Sequence, residues 1–297
     1  MLQIVEKRNW FFLISILVIL PGLISLFIWG LNLGVDFTGG SLLEVKFDKP
    51  VAKEEIIDIA KQAKVEIVSV QTSGENIYLL RSHPLDDKGE KALIGQLKKK
   101  YPSTQEIRKE TIGPTIGREL LQNAVLALLA ASVMIVIYIS WAFRSVPKPA
   151  SSLRFGICAI IALLHDVLVL IGIFSLLGHF FAVEVDSLFV TATLTVIGFS
   201  VHDTIVVFDR IRENLNKGSF RTFEETVSNS IMQTLGRSLN TSLTVILVLL
   251  ALLFFGGSSI RWFVVALLIG IASGTYSSIF NAAPLLVVWQ KWSERKK

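Results

Sequence analysis

Long apolar runs separated by short charged connectors make up most of the chain, and one long stretch near the N-terminus breaks that rhythm. Runs at 10–30, 119–143, 155–178, 188–208 and 262–289 are each long enough to cross a bilayer, whose core of about 30 Å needs roughly 20 apolar residues of helix. A sixth run, 237–256, opens with polar residues and turns apolar after Thr244, so its first turns need protein or water around them. The first run could be a secretory signal, but it carries bulky residues as far as Trp29 and lacks a small-x-small cleavage site, so we read it as an uncleaved span.

Segment 31–118 has a different period. Residues 41–47 alternate as a strand, and 51–63 have helical spacing with Ile56, Ile59 and Ala60 on one side after Pro50. Residues 65–72 and 77–81 read as strands flanking a Ser73-Gly74-Glu75-Asn76 turn. Residues 86–101 are helical, with Pro102 beyond, and 105–112 alternate again. The order β-α-β-β-α-β predicts a ferredoxin-like domain whose sheet keeps one face for water or a partner. The expected architecture is a membrane all-α bundle of six spans, with this α+β domain between the first and second. His83, before Pro84, reads as an ordinary surface residue.

Composition agrees. The 297 residues are 52% hydrophobic and 18% charged, against about 25% charged in soluble domains. That excludes a soluble enzyme, a nucleic-acid-binding module and a disordered tail. The one cysteine, Cys158, allows no intrachain disulfide.

Charge sets the expected orientation. Segments 1–9, 144–154, 209–237 and 290–297 carry two, three, five and four Lys or Arg residues, whereas the short connectors on the other side carry only Arg261. Short loops decide topology, because long domains translocate largely regardless of charge. Both termini (1–9 and 290–297) and the loop 209–236 are therefore expected in the cytoplasm, and 31–118, with 14 basic and 13 acidic residues, outside. Within the loop, 221–233 predicts a short interfacial helix with Phe223, Val227 and Ile231 on one side.

Ionisable groups at membrane depth cost about 2.5–3.5 kcal/mol on insertion scales, so they are functional candidates. Asp203 lies mid-span. On a helix Ser200 is about 60° from it, Thr193 about 80° and Arg210 about 20°, giving a polar stripe. Arg237 opens the fifth span with Asn240, Thr241 and Thr244 within about 60° of it. Asp203 and Arg237 should lie at similar depth, either as a static ion pair or as a working ion-coupling site; the second is favoured, because buried pairs are weak sources of stability. Asp166 follows His165 in the third span and reads foremost as a hydrogen-bonded packing residue. His165 and His202 each precede an aspartate, but no H-E-x-x-H is present, and no metal is expected.

Ala266, Gly270, Gly274 and Ser278 recur every four residues, a small-residue face for close helix packing, and Pro284 then interrupts the ladder. There is no P-loop, no G-x-S-x-G elbow and no Gly-x-Gly-Asp before Asp203, so neither nucleotide hydrolysis nor membrane proteolysis is indicated. No enzyme activity and no cofactor are expected.

Gly34-Val35-Asp36-Phe37-Thr38-Gly39-Gly40 and the long stretch 198–214, Gly-Phe-Ser-Val-His-Asp-Thr-Ile-Val-Val-Phe-Asp-Arg-Ile-Arg-Glu-Asn, resemble motifs of the SecD/SecF protein-export family, on its SecF side. Leu164-His165-Asp166-Val167 and residues 233–242 resemble its third and fifth spans. The resemblance covers the whole chain. It implies half of an RND-type bundle completed by SecD, joined to the SecYEG channel and YajC in the bacterial inner membrane, acting on preproteins after SecA and driven by the proton-motive force or sodium. It places Asp203 and Arg237 on the family's ion-coupling positions, with Asp166, His202, Ser200, Asn240, Thr241 and Thr244 as polar support. Gly34, Asp36, Phe37, Gly39, Gly40, Asp209 and Arg210 are motif residues. His202 stands where many members have Asn, and Gly236 replaces a commoner Ser. A non-motor scaffold for the channel is the rival reading, and half of a small-molecule exporter a weaker one.

Overall fold

The computed structural model of the chain describes residues 4–144, 147 and 151–295. Lys148, Lys296 and Lys297, counted among the basic residues above, lie outside the described residues. In chain order the elements are α1 (Arg8–Trp29), the single turn α2 (Val35–Thr38), β1 (Gly40–Lys46), α3 (Lys53–Gln62), β2 (Ile67–Gly74), β3 (Ile77–Ser82), α4 (Asp87–Lys100), β4 (Gln105–Ile112), α5 (Pro114–Ala142), α6 (Ser152–Phe181), α7 (Ser187–Lys217), α8 (Phe223–Phe255), α9 (Arg261–Ser277) and α10 (Ala283–Glu294). A π-turn, Ser278–Ala282, joins α9 to α10. Among the described residues six helices are long and apolar enough to cross a membrane, α9 and α10 counting as one. The chain folds as two compact units, one of Asn32–Leu126 with Glu184–Ser187, the other of the remaining described residues.

The smaller unit is the expected ferredoxin-like domain. Its sheet runs β2-β3-β1-β4, every neighbouring pair antiparallel. The register Leu43↔Leu80 and Val45↔Tyr78 sends these residues to one face, where Ile56, Ile59 and Ala60 of α3 and Leu93 and Leu97 of α4 close the core. The Tyr78 hydroxyl accepts the Val51 N–H at 3.0 Å, which satisfies a buried donor where the chain enters α3. Asp86 caps α4, its carboxylate accepting the Gly89 N–H at 2.8 Å, and Lys98, Lys99 and Lys100 sit at the negative end of the same helix. The opposite face is not simply open. Leu42 is 7% and Glu44 2% exposed. Arg81, opposite Leu42 in the register, forms an ion pair there with Glu184.

In the helical unit α6, α7 and α9 are the most buried elements. Close approach explains their glycines. A Cβ on Gly22 of α1 would stand 2.7 Å from the Gly172 Cα of α6. One on Gly270 would meet Val196 at 2.1 Å, and one on Gly274 would meet the Ser200 Cβ at 2.9 Å. The four-residue stripe therefore packs α9 on α7, as its spacing predicts. The rings of Phe143, Phe155 and Phe208 close one end of the core, with centroids 4.9–5.8 Å apart.

Two boundaries differ from expectation. The interfacial helix expected over 221–233 is the start of α8, which runs unbroken to Phe255. Thr222 caps it, accepting the Glu225 N–H at 3.1 Å. Val227 and Ile231 pack into the unit's own core rather than facing a membrane surface. The fourth apolar helix continues past residue 208 to Lys217, its charged end laced by Asp209–Arg212, Arg210–Glu213 and Glu213–Lys217 pairs at three- and four-residue spacing.

Candidate functional site

Asp166 and Asp203 both lie in the interior of the helical unit, 0% and 2% exposed. The buried face of α7 carries Thr193, Val196, Ser200, Asp203, Thr204 and Val207, which places Asp203 on the expected stripe. The two carboxylates have different surroundings. Asp166 Oδ2 accepts the hydroxyls of Ser200 at 2.5 Å and Ser277 at 2.7 Å. Its Oδ1 accepts the Ser273 hydroxyl at 2.7 Å and lies 3.0 Å from His165 Nδ1. With the imidazole donating, four donors surround the carboxylate oxygens, and among the described residues His165 Nε2 is left buried without a partner. Asp203 is held more loosely. The Ser242 hydroxyl of α8 donates to its Oδ2 at a long 3.4 Å and shares a 2.6 Å hydrogen bond with Thr275 of α9.

Further hydroxyls lie between the two neighbourhoods. Thr204, next to Asp203, shares a 2.8 Å hydrogen bond with Ser278, whose hydroxyl also donates to the Ser200 carbonyl at 3.3 Å. Ser200 in turn donates to Asp166. The interior of α6, α7, α8 and α9 thus holds two carboxylates, each reached by small rotatable hydroxyl donors, an arrangement able to accept and hold a proton.

Arg237 is placed differently from the sequence expectation. It is exposed, and no ion pair joins it to Asp203 among the described residues. Its neighbours Asn240, Thr241 and Thr244 are exposed too, and both threonine hydroxyls return to carbonyls of their own helix, on Arg237 and Asn240. The interior face of α8 is Thr226, Ser230, Thr234, Ser238 and Ser242, a hydroxyl at every fourth residue. The stripe is legible in the sequence spacing, and Ser238 on it lies about 100° round the helix from Arg237. Arg237 instead lines a cavity of about 340 Å³ with Ile205, Val206, Asp209, Arg210, Glu213 and Gln233, beginning half a turn beyond Asp203 along α7. Arg210 donates to Gln233 at 2.6 Å and pairs with Glu213 at 2.5 Å. His202 is exposed on α7.

The glycine motif belongs to the smaller unit. Gly34 opens α2, and its N–H donates to the Val185 carbonyl at 2.7 Å. Asp36 Oδ2 accepts the Ser187 N–H at 2.8 Å and the Ser187 hydroxyl. Phe37 is buried. Gly39 has φ +72° and a Cβ there would stand 2.7 Å from the Pro114 Cα, so a side chain at this turn is excluded on both counts. The same unit holds the Arg81–Glu184 ion pair. Burial pushes the Glu184 carboxyl up, and the Arg81 guanidinium opposes that shift.

Comparison with known proteins adds independent findings. Residues 93–292 match the family model described as the C-terminal region of protein export membrane proteins SecD/SecF, and residues 24–51 match the SecD/SecF GG motif. The chain is 49% identical to the protein translocase subunit SecF of Thermobaculum terrenum, over 98% of this chain and 94% of that one. It is 39% identical to the protein translocase subunit SecDF of Bacillus subtilis, over 98% of this chain and 38% of that one. The crystal structure of SecDF from Thermus thermophilus, a translocon-associated membrane protein, superposes with a TM-score of 0.85 at 34% identity, covering 97% of this chain and 38% of that chain.

Proposed function

We propose, from the premise that this chain belongs to the SecD/SecF family of protein export membrane proteins, that it is an ion-coupled subunit of a protein translocase with Asp203 as the coupling carboxylate. Family membership carries the role in protein translocation. The single observation that supports the coupling role is the contrast between the two buried aspartates. Asp166 accepts three serine hydroxyls at 2.5–2.7 Å, whereas the Ser242 hydroxyl reaches Asp203 at a long 3.4 Å, and a cavity lined by Asp209, Arg210, Glu213 and Arg237 opens two residues further along α7.

In this reading ions enter the cavity lined by Asp209, Arg210, Glu213 and Arg237 and exchange with Asp203. Arg237 acts from the cavity wall, lending positive potential to the entry path without closing a contact pair. Neutralising Asp203 removes a buried charge and lets α7 and α8 repack. Moving one charge through 100 mV is worth about 2.3 kcal/mol, enough to bias a two-state element about fifty-fold. The short basic connectors put both termini in the cytoplasm and residues 31–118 outside, in the bacterial inner membrane. The lipid-width apolar faces of α1 and α5 suit lipid and a SecD partner. SecYEG, YajC, an emerging preprotein and, upstream, SecA complete the assembly; the driving ion is a proton or sodium.

The test is preprotein export in cells carrying Asp203→Asn, with assembly checked by co-purification. Asn keeps the size and hydrogen bonding but cannot carry a proton, so export should fall to the level seen without the subunit while the complex stays intact. Normal export by that variant would refute the coupling role and favour a scaffold.

A further inference from the structure

The glycine motif grips the connection between α6 and α7, and its role has no counterpart in the coupling site. Four links converge there from a distant part of the chain. Residues 33 and 185 form a parallel β-bridge, with the Gly34 N–H donating to the Val185 carbonyl at 2.7 Å and the Val185 N–H to the Asn32 carbonyl at 2.8 Å. Arg81 donates to the Leu33 carbonyl at 3.3 Å and pairs with Glu184, so it touches both sides of that bridge. Asp36 accepts the backbone N–H and the hydroxyl of Ser187, the first residue of α7, from 151 positions away.

The first N–H groups of a helix lack intrahelical partners, and their end of the helix carries partial positive charge. A carboxylate at that place is a cap, normally supplied by the residue just before the helix. Here it is supplied by the sheet unit. We propose that Asp36 is a positioning residue that fastens the start of α7 to the sheet unit, so that movement of that unit is delivered to the helix bearing Asp203. Residue 203 lies 16 positions along α7, about 24 Å of continuous helix. A rigid rod pinned at one end passes a displacement along its length, whereas a loose loop would absorb it. Gly34 fits closely here, since a Cβ would stand 3.2 Å from the Val185 carbonyl oxygen. The inference rests on the coupling reading of Asp203.

The test uses the full chain in its complex, in a Cys158→Ala background, with export and co-purification as readouts. Asp36→Ala should lower export about fivefold with the complex intact, the size of effect expected from losing one cap. Asp36→Asn retains an acceptor oxygen and should stay within about twofold of the unsubstituted chain. Leu33→Cys with Val185→Cys restores the fastening covalently, since neighbouring strands lie about 4.8 Å apart, within reach of a disulfide. In the Asp36→Ala chain the oxidised crosslink should bring export back, and reduction should remove it again. Where Asp36→Ala fails to accumulate, the oxidised crosslink must restore accumulation and export together. Loss of export that the crosslink does not restore overturns the proposal. Full export by Asp36→Ala alongside failure of Asp203→Asn overturns the fastening alone, and full export by both overturns the coupling reading with it.

Discussion

Replacing each buried aspartate in turn should separate holding the bundle together from driving it. Asp166→Ala removes the acceptor for three serine hydroxyls and the neighbour of His165 Nδ1. Each buried donor left unsatisfied costs about 1–3 kcal/mol. Serines in helices can turn back to their own carbonyls, as Ser277 already does to Gly274 at 3.2 Å. Taking the low end for each donor and allowing for that relief gives a loss of about 3 kcal/mol. For a unit of this size that is a melting temperature lower by about 6–12 °C. Asp203→Asn should cost less than about 1 kcal/mol, because the amide oxygen can still accept from the Ser242–Thr275 pair. The assay is built into the chain: Cys158 is the one cysteine and is buried, so a thiol-reactive dye reports unfolding of the full chain in detergent. Asp166→Ala melting within about 2 °C of the unsubstituted chain, or Asp203→Asn melting below Asp166→Ala, would refute the division of roles.

Other outcomes follow from single contacts. Gly22→Ala should force α1 from α6, since the new Cβ meets backbone that cannot yield, and cost about 1–3 kcal/mol in the same melting assay. The Glu184 carboxyl titrates above its usual range because of burial, so the folded state binds that proton more tightly than the unfolded chain; stability should therefore decline as pH rises from the ordinary carboxylate value through the folded one, and Glu184→Gln should flatten that part of a melting-against-pH curve. A hydrogen bond with Glu55 pushes the Tyr101 hydroxyl up to about 12, and Glu55→Gln should bring its absorbance titration back toward 10.

Much of this was legible along the chain. The period-two strands and the Ile56–Ile59–Ala60 face gave the small domain, because each element buries one side against a neighbour. The Gly270–Gly274 spacing gave the α7–α9 contact, since only small residues allow it. That Arg237 forms no ion pair with Asp203 among the described residues has a physical reason: a long side chain reaches water at little cost, while the short hydroxyls of Ser238 and Ser242 are the groups a buried face accommodates. Asp166 read as a packing residue, but its four donors come from α6, α7 and α9, and no local spacing reveals Ser273 and Ser277 as their source. The grip of Asp36 on Ser187 joins residues 151 apart and was invisible for the same reason.

The π-turn at Ser278–Ala282 inserts one more residue than an unbroken α-ladder would use, just ahead of Pro284, which has no N–H to give that ladder. Each residue of helix turns the chain by about 100°. The surplus residue therefore sets the phase of everything after it: Gly270 and Gly274 address α7 before the turn, while Asn281 meets Ser15 of α1 within it and Gln290 meets Arg154 of α6 beyond it. One long helix thus presents differently oriented faces to three neighbours, so its count of residues matters as well as their identity. Shortening this stretch by a single residue would rotate the whole of α10 away from its partners, a far larger disturbance than any exchange of side chains there.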